Sequence, residues 1–272
     1  MDPQDTGALG LDRGYERVRD FHAAFDHPTG GLPRPLPYQR AVKRGKWMRE
    51  EVDEFEQATD LVSQADAMLD LMYFALGTLV EMGVRPERLF DIVHQANMSK
   101  RPANGAMVFA ADGKVEKPEG WVPPETRLRQ ALVADHTGYE FVPADKVGPT
   151  AAVLAMVAQA LGVAGPTAAD FQLALDEAGG ALDLTRFSLA DDHVAAPADP
   201  GAVLRDSLES YRCVAVAGDM SGLVLVSTVR EDGALLVDPD PDTGGLRYAP
   251  LDDVLAAVRR GGIHRFRRAD VD

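Results

Sequence analysis

The chain has 272 residues, 46% of them hydrophobic, which is long enough for one large core or two modest ones. Its formal charge is −15, with 15 basic against 21 acidic residues over 1–125 and 13 against 22 over 126–272. Both halves are therefore poor partners for duplex nucleic acid. The single cysteine, Cys213, excludes an internal disulfide and any multi-cysteine zinc site, and a reducing cytoplasm is the expected compartment. No apolar run has the length of a membrane span, and the acidic start (Asp2, Asp5) lacks the order of a secretion signal.

In chain order, residues 11–26 place Leu11, Tyr15, Val18, Phe21 and Phe25 at helical steps of three or four. Residues 27–37 (HPTGGLPRPLP) break the pattern as a loop, and 38–60 resume a charged helix. Residues 62–83 form the most apolar helix, expected at the buried centre and ended by Gly83. Residues 86–99 start with Pro86 in the first turn and complete an all-α four-helix bundle. Residues 101–125, with the proline- and glycine-rich run DGKVEKPEGWVPPE, read as a tail. A boundary falls near 125–135, giving domains over 1–127 and 128–272. The second half reads as α+β. It has helices at 149–162, 167–178, 201–210 and 251–260. Its strands fall at 212–217, 222–229, 234–238 and 263–267.

Two acidic groups stand on successive helices. Glu50, Glu51 and Glu54 are three or four apart, as are Asp66 and Asp70, and the second pair interrupts an apolar helix. Aspartates facing a bundle interior repel each other and lose hydration unless a cation is present. Hard carboxylate oxygens select Mg²⁺ or Mn²⁺, and ions clamped between helices can bind a triphosphate and activate water. The plainer reading is a solvated helix face, with Asp66 capping or pairing locally.

The segments ADAMLDLMYFALGTLVEMGV, LFDIVHQANMSK and DGKVEKPEGWVPP, in that order, resemble the MazG-like and phosphoribosyl-ATP pyrophosphohydrolase-like all-α NTP pyrophosphatases, closest to their dUTPase-related branch, over about residues 14–125. The resemblance implies a four-helix bundle, a homodimer or homotetramer, and cleavage of a nucleoside triphosphate to monophosphate and pyrophosphate with Mg²⁺ or Mn²⁺. It implies that Glu51, Glu54 and Asp70 hold metal and that Glu50 orients or deprotonates water. Asn97 and Lys100 would lie near the substrate. Where the family commonly has a glutamate three residues before the aspartate, this chain has Ala67, and Asp66 is the substitute on nearly the same face. Lys114 and Lys117 could close over the phosphates, and Trp47 and Tyr73 could stack on a base. For each a plainer role exists: helix-end cation for Lys100, solvated loop for Lys114 and Lys117, core packing for the rings. His22 and His94 have no acidic cluster beside them in sequence and read as structural or surface groups.

The second half resembles papain-like peptidases of the double-glycine kind in VGPTAAVLAMVAQALG and in GLVLVSTV followed by ALLVDPDPDTGGLRYAPLDDVLAAV. The nucleophile's position holds Val147, and Ser221-Gly222-Leu223-Val224 supplies no histidine, leaving Asp238 without a base. The domain is then an inactive peptidase kept for a protein or peptide partner, or an unrelated α+β domain. Cys213 in RCVAVA reads as a buried, inert thiol. For the whole chain the alternatives are a pyrophosphohydrolase and a non-catalytic nucleotide-sensing or partner-binding protein.

Overall fold

The structure is a computed structural model, and it describes residues 10–101, 108–179, 182–218 and 222–269. The chain divides into two compact units, Met1–Pro124 and Glu125–Asp272.

The N-terminal unit holds four helices: α1 (Gly10–Ala24), α2 (Tyr38–Gln57), α3 (Leu61–Met82) and α4 (Glu87–Met98). Asp60 starts α3 by accepting from the Val62 and Ser63 amides, and Gly83 ends it in the left-handed conformation at φ 69°. Pro86 stands at the N-cap of α4, one step before the first turn. The chain turns through 119° between α3 and α4. Helix α3 packs against both α1 and α2, with a small core of Tyr15, Val18 and Val80 between α1 and α3.

The expectation that 62–83 is a buried centre is corrected. Leu61, Val62, Leu69, Met72 and Tyr73 are all exposed, and only Ala67, Gly77, Val80 and Glu81 of α3 are buried. An apolar stripe shows that a helix is to be covered, but not by what. Every exposed large hydrophobic side chain among the described residues except Leu173 lies in this unit.

The second unit begins with α5 (Glu125–Thr137), α6 (Pro149–Ala160) and α7 (Ala168–Ala178), then a 3₁₀ turn at Leu184–Phe187. There follow β1 (Leu189–Val194), α8 (Pro200–Ser210), β2 (Cys213–Ala217), β3 (Leu223–Val229), β4 (Gly233–Asp238), β5 (Gly245–Pro250), α9 (Leu251–Gly261) and β6 (Ile263–Arg268). The strands form one antiparallel sheet in the order β1-β6-β2-β3-β4-β5. Strand alternation divides the core between the faces. Cys213, Ala215, Leu225, Val237 and Phe266 join the α6 side with Met156 and Phe171, while Val214, Val216, Val224, Leu236 and Ile263 join the α8 and α9 side with Leu204, Val254 and Val258. Local signals set the helices: Thr167 and Asp170 form a capping box at α7, and Asp199 caps α8 ahead of Pro200.

The chain is thus a helical unit followed by an antiparallel sheet with helices. Helix α5 and strands β1 and β5 are additions to the sequence reading. Among the described residues no single helix is long and apolar enough to cross a membrane.

Candidate metal and nucleotide site

A connection of three residues, 58–60, joins α2 to α3, so the C-terminal end of α2 lies beside the N-terminal end of α3. This hairpin gathers the acidic residues. Glu51 is half-buried; its Oε2 is shielded from solvent and has no hydrogen-bond partner. Its pKa is raised above the ordinary carboxylate value, first by burial, then by the negative charges of Glu54, Asp70, Glu50 and Asp66. All five predicted acids therefore share one electrostatic neighbourhood. Glu54, Asp66 and Asp70 are exposed, and Glu50 is half-exposed beside Lys46 at 3.4 Å.

The side chains as placed do not form a closed ligand set. Among the described residues no three His, Cys, Asp or Glu side chains stand close enough to hold a metal ion. What fits a hard cation is the donor chemistry: an orphaned, shielded carboxylate oxygen set among the charges of four other acids. Ala67 is buried on α3 and supplies no oxygen.

A second group forms at the end of α4. Lys100 Nζ donates to Asn97 Oδ1 at 2.8 Å, and both Lys100 and Lys117 lie over the Trp121 ring, 5.5 and 4.7 Å from its centroid. Lys114 stands apart from this group: it is exposed and pairs with Asp112 at 3.0 Å across a small hairpin in which Phe109 bridges Val115. That pairing holds the Asp112 carboxyl below its usual value.

Neither expected base-stacking ring is a free platform. Trp47 stacks on Phe74 at 5.7 Å, and Arg40, Lys43 and Arg44 crowd the same indole at 5.2–5.3 Å. Tyr73 meets Phe21 edge-on at 5.6 Å.

Sequence reasoning missed a buried ionic cluster. Arg40 Nε and Nη2 donate to the two oxygens of Glu81 at 2.6 and 2.5 Å, and Arg44 Nη2 reaches the same carboxylate at 2.6 Å. Burial alone would raise the Glu81 pKa, but the Arg40 hydrogen bonds and the Arg44 charge outweigh it and hold the carboxyl low. His22 joins the cluster as a buried structural group, its one acidic neighbour, Glu81, coming from α3. Its Nδ1 lies 2.7 Å from the Pro28 carbonyl and its Nε2 lies 3.2 Å from Arg44 Nη2. A carbonyl only accepts and a guanidinium only donates, so the ring is neutral with its proton on Nδ1. Burial likewise lowers its pKa. Gly77 makes room: a Cβ there would stand 2.9 Å from both Arg44 Nη2 and His22 Nε2. The available signal was Glu81 itself, a lone acid between Val80 and Met82 in an apolar run. His94 is exposed.

In the second unit no nucleophile–base pair is assembled among the described residues. Cys213 is buried and its thiol is pushed up to about 11 by desolvation. His264 pairs with Asp191 at 2.6 Å and stacks on His193, while His136 bonds the Leu132 carbonyl. Val147 precedes Gly148, the N-cap of α6, and Asp238 pairs with Arg247 at 3.4 Å. Ser221 lies outside the described residues.

The phosphoribosyl-ATP pyrophosphohydrolase family profile matches residues 18–97, under half of the chain, which bears out the N-terminal resemblance. The matched span includes every predicted acid and Asn97 but stops before Lys100. Comparison with curated proteins finds no match. Among solved structures, one similar chain is described as the crystal structure of a double glycine motif protease from an AMS/PCAT transporter in complex with the leader peptide. It is 14% identical with a TM-score of 0.33, covering 47% of this chain and 89% of that one. A likeness of that size carries no argument about this chain.

Proposed function

We propose that the N-terminal unit hydrolyses a nucleoside triphosphate to the monophosphate and pyrophosphate with the help of Mg²⁺ or Mn²⁺. The observation that supports this most is the shielded, unpartnered Glu51 oxygen set among the charges of Glu54, Asp70, Glu50 and Asp66. The family match over 18–97 supports the same reaction class. Glu51, Glu54, Asp66 and Asp70 hold the ion, which when bound offsets phosphate charge and polarises the phosphoryl group. Glu50 orients the attacking water and takes its proton as the bond from the α-phosphorus to the bridging oxygen breaks and pyrophosphate leaves. Asn97, Lys100 and Lys117 hold the substrate, with Lys114 as an outer cation and Tyr73, rather than the crowded Trp47, as the ring nearest to free. A homodimer or homotetramer covers the apolar side chains left exposed on this unit. The cytoplasm, with its reducing poise, suits the lone buried thiol.

The second reading is a nucleotide sensor without catalysis, and Ala67 in place of a metal-binding acid favours it. In that case, as in the first, the C-terminal unit is proposed to serve a protein or peptide partner, since Val147 stands where the resembled peptidases carry their nucleophile. A pyrophosphate-release screen over the common NTPs and dNTPs, with Mg²⁺ and with Mn²⁺, separates the two. Release that disappears in Glu51→Gln supports the hydrolase; nucleotide binding without release supports the sensor.

A further inference from the structure

The segment after α4 is organised around one indole. Trp121 Nε1 donates to the Ala96 carbonyl at 2.9 Å, in the last turn of α4. Pro118, Glu119, Gly120 and Trp121 form a β-turn closed by Trp121 N to Pro118 O at 3.0 Å, with Gly120 at φ 75° in the position where a type II turn requires a left-handed residue. The turn folds Lys117 back onto the ring of Trp121, at 4.7 Å from its centroid, while Lys100 reaches the same ring from the helix end at 5.5 Å. Two ammonium groups so placed are separated by no more than roughly the Debye length in 0.1 M salt, about 10 Å, so they repel each other. The electron-rich indole face, the Asn97 amide oxygen and the negative end of α4 offset that repulsion.

We infer that Trp121 is a positioning residue: its indole gathers Lys100 and Lys117 into one locus for a polyphosphate. This rests on the hydrolase reading only for the identity of the ligand. A lone exposed lysine binds phosphate weakly, but two held together before the ligand arrives do not lose their side-chain entropy on binding. A phosphate chain also relieves their repulsion. The ligand class is an oligophosphate, recognised by charge and spacing and not by its base.

The test is binding of inorganic tripolyphosphate, without metal, to the full chain by calorimetry at low salt. Lys100→Met, Lys117→Met and Trp121→Leu each weaken binding, and losing the indole costs roughly 3- to 30-fold, the range of a cation–π contact. The deciding result is the coupling between the sites. In the Trp121→Leu background Lys117→Met costs less than twofold more, because the lysine is no longer held in place. Trp121→Phe keeps a π face while losing the Ala96 bond, so it recovers part of the lost affinity; Trp121→Met, which has no ring, replaces the leucine variant in the cycle if that one fails to fold. Additive losses, or wild-type protein that does not bind tripolyphosphate, overturn the inference. If the coupling is present but no triphosphate is hydrolysed, the hydrolase reading falls and the positioning role stands. If hydrolysis occurs with additive losses, the reverse holds.

Discussion

Glu51→Gln has a signature that depends on metal. Without metal, Glu51 is a half-buried carboxylate with an unpartnered oxygen facing four like charges. Each such exposed, screened pair is worth about 0.2–1 kcal/mol, and the neighbours are mostly exposed, so the summed repulsion is on the order of 1 kcal/mol. The amide removes it, and metal-free Glu51→Gln is more stable than wild type by about that amount, a few degrees in melting temperature. With Mn²⁺ the order inverts. Wild type gains about 2.7 kcal/mol at a metal concentration 100 times the dissociation constant, while the variant gains little. The assay is thermal melting with EDTA and across a Mn²⁺ titration, following helical circular dichroism. A variant less stable than wild type in EDTA, or equally stabilised by Mn²⁺, refutes the reasoning.

Glu81→Ala leaves Arg40 and Arg44 without their shared carboxylate in a buried site and costs about 3–5 kcal/mol, measurable by urea denaturation. The folded pKa values of both His22 and Glu81 are depressed, so their stabilisation is complete above the unfolded values and declines as pH falls. The N-terminal unit therefore loses stability first below about pH 6.5 and again below about pH 4.3; flat stability from pH 7 to 4 contradicts this. Gly77→Ala puts a methyl group 2.9 Å from Arg44 and His22 and costs about 1–3 kcal/mol in the same assay, despite alanine's better helix propensity. With its thiol held at about 11, Cys213 stays unreactive toward a disulfide reagent at pH 8 in the native protein and reacts on unfolding.

The central strands were legible because both faces of the sheet are covered. CVAVA and the LVLV that opens β3 run apolar without a break, and no solvent-facing polar alternation obscures them. Strand β1 was not legible for the opposite reason: it is the edge, and LADDHV carries Asp191, Asp192 and His193 where a core strand would carry valine. The grouping of acids on each helix was legible from spacing, since three- and four-residue steps share a helix face, while their approach across the hairpin follows from the short connection 58–60. The environment of each acid was not. Asp66 and Asp70 sit in an apolar sequence yet are exposed, whereas Glu81, passed over, is buried, because burial depends on which neighbours approach α3. Trp121 was likewise hidden: its role comes from a turn that returns the tail to the end of α4, and no periodicity encodes that return.

The convergence of carboxylates on a cation is tested most directly by crystals grown with Mn²⁺ and measured at the manganese absorption edge. The account predicts an anomalous peak contacted by carboxylate oxygens from both Glu51 and Asp70. Manganese bound elsewhere, with that hairpin empty at saturating Mn²⁺, would contradict it.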